Sequence, residues 1–213
     1  NNQEMQLSNS KGMLRVPSNT TFKKVENQYQ NDLSNRTNNE SVTFKRPKEV
    51  ELPLIVVDTP NVAMRHGLNS KFSCRGIKLA IDFFHRAGHR VVAFLPDYYF
   101  NFERVGELRR SASLGVGSVR ASQIPDDVHL LQQLVGQGFL IGTPAQDYDD
   151  SYCITYAKQR NGYIISNDLY RDHLKRYEIP SEREEMKKWL KSHVVSYTFV
   201  GDEFVPNPDA SIN

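Results

Sequence analysis

The sequence predicts an α/β fold with a central, mostly parallel sheet. Short β-branched apolar runs alternate with longer segments whose apolar residues recur every three or four positions. Such alternation indicates strand–helix–strand units, in which right-handed crossovers keep successive strands parallel. The length supports the same conclusion, because 213 residues suffice for one domain of ordinary size with an appendage.

Residues 1–48 differ in composition from the rest and are predicted to form a polar, low-complexity arm. They are rich in Asn, Ser, Gln and Lys, with few large apolar residues and no sustained period. Such a composition cannot bury enough apolar surface to offset its ordering entropy. We therefore expect one globular domain over residues 49–213, and an arm that lies on this domain or on a partner.

The first half of the domain predicts two strands that flank a helix. The run PLIVVD (53–58) is β-branched and unbroken, which is typical of a buried parallel strand. A helix is expected through CRGIKLAIDFFHRA, with Ser73 as its N-cap and Gly88 just past its end. The run VVAFL (91–95) then predicts the second strand.

The second half continues the alternation after an arginine-containing segment, residues 103–120, which we interpret as a flexible loop. Strands are expected at FLIGT and YIIS, and VVSYTFV and EFVP are predicted to pair as a hairpin across Gly201-Asp202. Helices are expected from Pro125 to Gly138, through DDSYCITYAKQR, and through SEREEMKKWLKSHV.

Acidic side chains follow the predicted strands. Because the carboxyl ends of parallel strands meet at one edge, where open α/β sheets bind ligands, these side chains can converge there. Asp172 is expected one turn beyond Asp168 on the same helical face, and Asn61 is expected nearby as a neutral oxygen ligand or as an orienting group. The full set is Asp58, Asn61, Asp149, Asp150, Asp168 and Asp172.

Each acid alone also has an ordinary interpretation, as a helix N-cap for Asp149, Asp150 or Asp168, and as a solvated surface residue for Asp172. Gathered in one crevice, carboxylates raise each other's pKa unless a cation neutralises them. An all-oxygen set suits Mg²⁺ or Mn²⁺ rather than zinc. One or two such ions could activate water and offset charge on a phosphodiester.

Other chemistries lack their motifs. Pro60 stands where an aspartyl-nucleophile phosphatase needs its second acid, and neither a P-loop nor a G-x-S-x-G elbow occurs. The net charge of +2 gives no strong basic field, and two cysteines cannot build a disulfide framework. This cysteine content fits a reducing, intracellular compartment, and no apolar run is long enough for a membrane span, so we expect a cytoplasmic protein without a membrane partner.

Four segments occur in an order and at a spacing that resemble the NYN branch of PIN-like ribonucleases: VVDTPNVAM, FSCRGIKLAIDFF, YDDSY and SNDLYRD. The nearest resemblance is to the Regnase (CCCH-finger NYN) family, including its nematode relatives in small-RNA silencing, over about Leu52 to Pro206. The resemblance implies a three-layer α/β/α fold and endonucleolytic cleavage of single-stranded RNA with Mg²⁺ (or Mn²⁺). It implies that all six residues of the set are catalytic and that Asp58, Asp149, Asp150 and Asp168 bind metal.

The resemblance also implies roles and partners. We expect mRNA turnover or RNA-mediated silencing in the cytoplasm or in RNA granules, a recruiting protein, and pairing with a second copy or with a related NYN domain. From the residues themselves, phosphate contacts are expected from six arginines, with surface solvation as the alternative for Arg75 and Arg171. Tyr98, Tyr99 and Phe102 either stack on unpaired bases, cover the sheet edge or meet a protein. These arginines are Arg75, Arg104, Arg109, Arg110, Arg120 and Arg171.

Departures from the family pattern motivate a second hypothesis. Thr59-Pro60 replaces the small residues that usually separate the first Asp from the Asn, and TPAQD lacks the basic residues of the family loop. The zinc finger that often follows this domain is absent from these residues. A catalytically weak scaffold or RNA-binding subunit therefore remains an alternative, and a DNA-directed nuclease of the wider PIN-like group is a third.

Overall fold

The computed structural model describes residues 52–116, 119–144, 149–210 and 212, except for the side chains of Asp149 and Asp150. The predicted arm, residues 1–48, lies outside these described residues. Within them, five parallel strands form a central sheet in the order β3-β2-β1-β4-β5. The strands are β1 (Ile55–Asp58), β2 (Val91–Pro96), β3 (Leu140–Thr143), β4 (Tyr163–Ile165) and β5 (Val194–Val195).

Helices follow the strands, and an antiparallel hairpin closes the described chain. The hairpin is β6 (Tyr197–Val200) with β7 (Glu203–Pro206). Short 3₁₀ helices span Asp97–Phe100 and Ala121–Gln123. The α-helices are α1 (Thr59–His66), α2 (Cys74–Arg86), α3 (Phe102–Ser113), α4 (Val128–Gly136), α5 (Asp149–Gln159), α6 (Arg171–Lys175) and α7 (Pro180–His193). None of these helices is long and apolar enough to cross a bilayer, within the residues described.

The sheet separates two hydrophobic layers, which confirms the predicted α/β class with its helices on both faces. Successive residues of a strand face opposite sides, so Ile55 and Val57 pack against the layer that contains α2, α4 and the hairpin. Val56 packs into the other layer, with α5 and α7. Because β1 is buried on both faces, its sequence is an unbroken apolar run up to Asp58.

The predicted segment VVSYTFV splits between two sheets. Its first two residues form β5, which pairs in parallel with β4, and residues from Tyr197 onward pair with β7. The break falls at Ser196, whose carbonyl oxygen accepts the backbone N–H of Asn207 at 2.8 Å. The hairpin across Gly201-Asp202 is confirmed, but the expectation of one continuous strand is wrong.

The prediction of a flexible loop over residues 103–120 is wrong for its first part, which forms most of α3. Asn101 caps this helix by accepting the backbone N–H of Arg104 at 3.0 Å. Val105 is buried against Ile124 and Val128, and this small apolar cluster holds α3 on the domain. Because α3 buries only a narrow stripe of apolar residues, the composition of the segment is mostly polar and did not indicate a helix.

Close packing of α1 on α2 depends on Gly76, and this dependence is testable. A Cβ at Gly76 meets the His66 side chain and the Val62 carbonyl oxygen, whereas a Cβ at Gly136 meets nothing within 4 Å. We expect Gly76→Ala to lower the free energy of unfolding in urea by about 1–3 kcal/mol. Gly136→Ala, the matched control, is expected to change it by less than about 1 kcal/mol, in the stabilising direction. Equal effects of the two substitutions would contradict this packing argument.

Candidate active site

The crevice between β1 and β4 lies where the chain changes direction across the sheet. From β1 the chain builds β2 and β3 on one side, and then crosses to β4 and β5 on the other. Open parallel sheets bind ligands at such a switch point, beyond the carboxyl ends of the strands. Val57 pairs with Ile165, so the next residues, Asp58 and Ser166, enter the crevice side by side.

Asp58 is a buried carboxylate, with 6% of its surface exposed. Its Oδ2 accepts hydrogen bonds from the Ser166 hydroxyl at 2.6 Å and from the Tyr170 hydroxyl at 3.0 Å. Its Oδ1 accepts the backbone N–H of Asn61 at 3.4 Å, which makes Asp58 the N-cap of α1. These donors come from two distant parts of the chain and fix the orientation of the carboxylate.

The Thr59-Pro60 departure is accommodated by the start of α1. Pro60 lies in the first helical turn, where a backbone N–H has no helical partner and the fixed φ of proline suits the helix. The Thr59 hydroxyl donates to the Phe94 carbonyl oxygen at 2.6 Å, which ties this turn to β2. Asn61 therefore faces the crevice from the first turn of a regular helix.

Asn61 orients the loop after β4. Its Oδ1 accepts the backbone N–H of Asn167 at 3.0 Å and the Tyr197 hydroxyl at 2.7 Å. An amide oxygen has two lone pairs, and both are used by these donors. Of the two roles expected for Asn61, the geometry favours the orienting role over that of a metal ligand.

Asp168 lies in the tight turn between β4 and α6, and its side chain is exposed. Its Oδ1 accepts the backbone N–H of Tyr170 at 2.7 Å, and its own N–H donates to the Ser166 hydroxyl at 3.0 Å. Ser166 thus contacts both acids, since it donates to the Asp58 carboxylate and accepts from the Asp168 backbone. The structure brings Asp58 and Asp168 together at one edge.

Asp172 does not share a helical face with Asp168, so this expectation is wrong. Tyr170 adopts a left-handed conformation, with φ of 49°, and α6 begins only after it, at Arg171. The Asp172 side chain is 86% exposed and pairs with Lys175 at 2.8 Å. The hydrogen bond and charge of Lys175 lower the pKa of Asp172, so it is a solvated, ion-paired carboxylate.

Asp149 and Asp150 open α5, as predicted, but their side chains lie outside the described residues. Ser151, in the first turn of α5, accepts a hydrogen bond at 3.3 Å from Arg176, the residue that follows α6.

The crevice donors fit a hard divalent cation. Among the residues whose side chains are described, no group of three or more His, Cys, Asp or Glu side chains could enclose a metal ion. Mg²⁺ does not need such a cage, because it keeps several waters and binds through one or two carboxylates. Asp58 and Asp168 supply two carboxylates, so the donor chemistry matches Mg²⁺ or Mn²⁺ with water completing the coordination.

Two buried tyrosines complete the polar network, and sequence reasoning missed both. Burial raises the pKa of Tyr170, and the neighbouring charge of Asp58 raises it further. The pKa of Tyr197 is raised for the same two reasons. Both phenols therefore stay protonated and act as hydrogen-bond donors at neutral pH. Tyr170 is within the SNDLYRD segment, but no local pattern marks Tyr197, which reaches Asn61 from the hairpin.

The six predicted RNA-contacting arginines fall into two groups. Arg75 pairs with Asp202 at 2.7 Å, Arg104 pairs with Glu107 at 3.1 Å, and Arg109 donates to the Pro125 carbonyl oxygen at 2.7 Å. The other three are exposed, and no ion pair to a described residue engages them. They are Arg110, Arg120 and Arg171.

The three aromatic residues beyond β2 that were expected to stack on bases differ in their exposure. Tyr99 is 8% exposed and stacks on Phe72, with ring centroids 5.7 Å apart, so it covers the sheet edge. Tyr98 also packs against the core. Phe102 is 45% exposed beside His129, and it lines an open cavity of about 530 Å³ together with Gln132. Of the three aromatics, Phe102 retains an accessible face.

The strand order and the acidic switch point define a PIN-like nuclease fold. Two solved structures of nuclear proteinaceous RNase P 2 from Arabidopsis thaliana are similar, each with a TM-score of 0.51, at 19% and 18% identity. They cover 91% and 92% of this chain, which covers 37% and 38% of theirs. At this low identity the likeness shows the fold.

Residues 51–213 match the Zc3h12a-like ribonuclease NYN domain, and the chain belongs to that family. It is 30% identical over 180 residues to endoribonuclease rege-1 of Caenorhabditis elegans. The match covers 80% of this chain and 25% of the relative, so the chain spans about a quarter of the relative's length. The expected Regnase-type resemblance is confirmed.

His173 makes the stability of α6 sensitive to acid. It is 3% exposed, and neither ring nitrogen has a hydrogen-bond partner among the described residues. Burial, followed by the charge of Arg176, lowers its pKa to about 4. Its stabilising contribution is therefore complete above the unfolded-state pKa near 6.5 and decreases as the pH falls towards 4.

The free energy of unfolding falls between pH 7 and pH 5 in the wild type. We expect this fall to be about 2 kcal/mol smaller in His173→Leu. Urea denaturation at the two pH values measures this difference. His129→Gln, at an exposed position, is the control and should keep the wild-type pH dependence. A parallel decline in all three proteins would show that His173 is not the titrating group.

Proposed function

We propose that this chain is a divalent-metal-dependent endoribonuclease that cleaves single-stranded RNA. The observation that supports this proposal best is the Asp58–Ser166–Asp168 arrangement at the sheet switch point, in a chain of a ribonuclease domain family. The relative from Caenorhabditis elegans, rege-1, is named as an endoribonuclease. The fixed carboxylates give the crevice a place for a cation beside a bound phosphodiester.

The proposed reaction uses each group in a distinct role. Asp58 and Asp168 hold Mg²⁺ or Mn²⁺, together with Asp149 and Asp150 from α5. When bound, the ion supplies Lewis-acid stabilisation of the scissile phosphate and a water molecule of lowered pKa. Asn61 keeps the turn after β4 in place through its bond to the Asn167 backbone.

Substrate binding in this proposal is electrostatic and independent of sequence. Arg171 lies three residues beyond Asp168, and Arg110 and Arg120 add exposed positive charge on and after α3. Phosphate contacts of this kind position RNA without reading bases. The exposed face of Phe102 can stack on an unpaired base, which favours single strands.

Weak sequence preference implies that targeting comes from elsewhere. We propose a recruiting protein, self-association or pairing with a related NYN domain, and a role in mRNA turnover or RNA silencing in the cytoplasm or its RNA granules. A scaffold or RNA-binding subunit with weak catalysis is the alternative. It is favoured by the engagement of Arg75, Arg104 and Arg109 within the domain itself.

The metal-binding acids can be tested by charge removal. We expect Asp58→Asn and Asp168→Asn to slow Mn²⁺-dependent cleavage of a fluorescent single-stranded RNA on the order of 100-fold or more. The fold should persist in Asp58→Asn, since the amide oxygen can cap α1 and the two hydroxyls can accept hydrogen bonds from the amide NH₂. Asp82→Asn, on the surface of α2, is the matched control and should retain activity.

Metal dependence is measured on the same proteins. EDTA should abolish cleavage, and calorimetry should detect Mn²⁺ binding by the wild type and its loss in the two site variants. A wild type that binds Mn²⁺ poorly and leaves RNA intact would favour the scaffold. Faster cleavage of a matched DNA oligonucleotide would favour the DNA-directed alternative.

Arg171 is the arginine whose loss should weaken RNA binding most. We expect Arg171→Gln to lower affinity for single-stranded RNA uniformly across sequences and to reduce the slope of log affinity against log salt by about 1. Arg104→Gln, which removes a residue already paired with Glu107, should leave that slope nearly unchanged. Fluorescence anisotropy over a salt series measures both. Identical slopes in the two variants would contradict the assignment of Arg171.

A further inference from the structure

Two hydroxyl groups donate to the same oxygen of Asp58. Ser166 and Tyr170 each donate to Oδ2, at 2.6 Å and 3.0 Å, whereas Oδ1 accepts the longer 3.4 Å bond from the Asn61 backbone. These three hydrogen bonds fix the orientation of the carboxylate.

Tyr170 contacts both acids of the crevice through different atoms. Its hydroxyl donates to Asp58, and its backbone N–H donates to Asp168 Oδ1 at 2.7 Å. The left-handed backbone at Tyr170, which is unusual for a residue other than glycine, allows this double contact. The ring is 2% exposed and packs in the layer that contains Tyr152 and Met186.

Packing alone does not account for a tyrosine here. A phenylalanine fills the same apolar space without bringing a hydroxyl into a buried site, where an unbonded hydroxyl is costly. The Tyr170 hydroxyl has a partner in Asp58, and the Tyr170 backbone sets the position of Asp168. The residue thus links the two carboxylates that would hold the ion.

We propose that Tyr170 is a positioning residue for metal binding: its hydroxyl, together with that of Ser166, fixes the Asp58 carboxylate, and its backbone N–H fixes the carboxylate of Asp168. This inference rests on the proposed function, because it refines the same metal site. Partners that hydrogen-bond to ligating carboxylates orient them, and their loss typically weakens metal affinity about 10- to 100-fold.

The test is Tyr170→Phe, with Mn²⁺ affinity measured by calorimetry. We expect the dissociation constant for Mn²⁺ to rise about 10-fold, and kcat on single-stranded RNA to fall while KM stays near the wild-type value. Tyr156→Phe is the matched control, because its hydroxyl accepts from Arg90, just before β2, at the opposite end of the sheet. It removes one buried phenol hydroxyl but should leave Mn²⁺ affinity unchanged.

Ser166→Ala keeps the proposal testable if Tyr170→Phe does not fold, as judged by circular dichroism. It removes the second donor to Oδ2 and should weaken Mn²⁺ binding in the same direction. Wild-type Mn²⁺ affinity in the folded variant, or a loss no greater than in Tyr156→Phe, overturns the positioning role.

The outcomes separate this inference from the proposed function. Cleavage by the wild type together with unchanged Mn²⁺ affinity in Tyr170→Phe means that the function stands and the positioning role fails. If the variant binds Mn²⁺ more weakly but the wild type does not cleave RNA, the positioning role stands and the proposed function fails. Absence of Mn²⁺ binding by the wild type overturns both.

Discussion

A buried carboxylate must receive hydrogen bonds or a cation, and this requirement at Asp58 organises the crevice. Transfer of an unpaired charge from water to a protein interior is costly, so Asp58 needs donors from its surroundings. The adjacency of β1 and β4 supplies Ser166 and Tyr170, and the helix that starts at Asp58 supplies a backbone N–H. The strand order, the turn after β4 and the start of α1 are thus all tied to one side chain.

The constraint extends to the hairpin through α1. At the start of this helix, Asn61 binds the Tyr197 hydroxyl, and at its end His66 contacts Asp202 at 3.0 Å in the hairpin turn. The other ring nitrogen of His66 lies 2.8 Å from the Ser73 hydroxyl, at the start of α2. The hairpin is therefore part of the site's support, because it holds both ends of the helix that Asp58 caps.

Sequence reasoning succeeded where one local property decides the structure. Unbroken apolar runs located β1 and β2, and the helical period located α2, because burial on both faces or on one face leaves a plain pattern. It failed where tertiary contacts decide. The helix α3 buries little more than Val105, and the start of β6 is set by pairing with β7 rather than by any break in apolar character.

The same distinction between local properties and tertiary contacts explains which parts of the candidate site were predicted correctly. The rule that parallel strands end at one edge placed Asp58 and Asp168 correctly at the crevice, since it depends only on where strands stop. It misplaced Asp172, because the helix was assumed to continue back to Asp168, whereas the left-handed Tyr170 separates them. An acid at a strand end gives the position of a charge, but the neutral hydrogen-bond donors around it set the orientation of its carboxylate. Those donors arrive by tertiary folding, so the hydroxyls that orient Asp58 cannot be deduced from the pattern of acids alone.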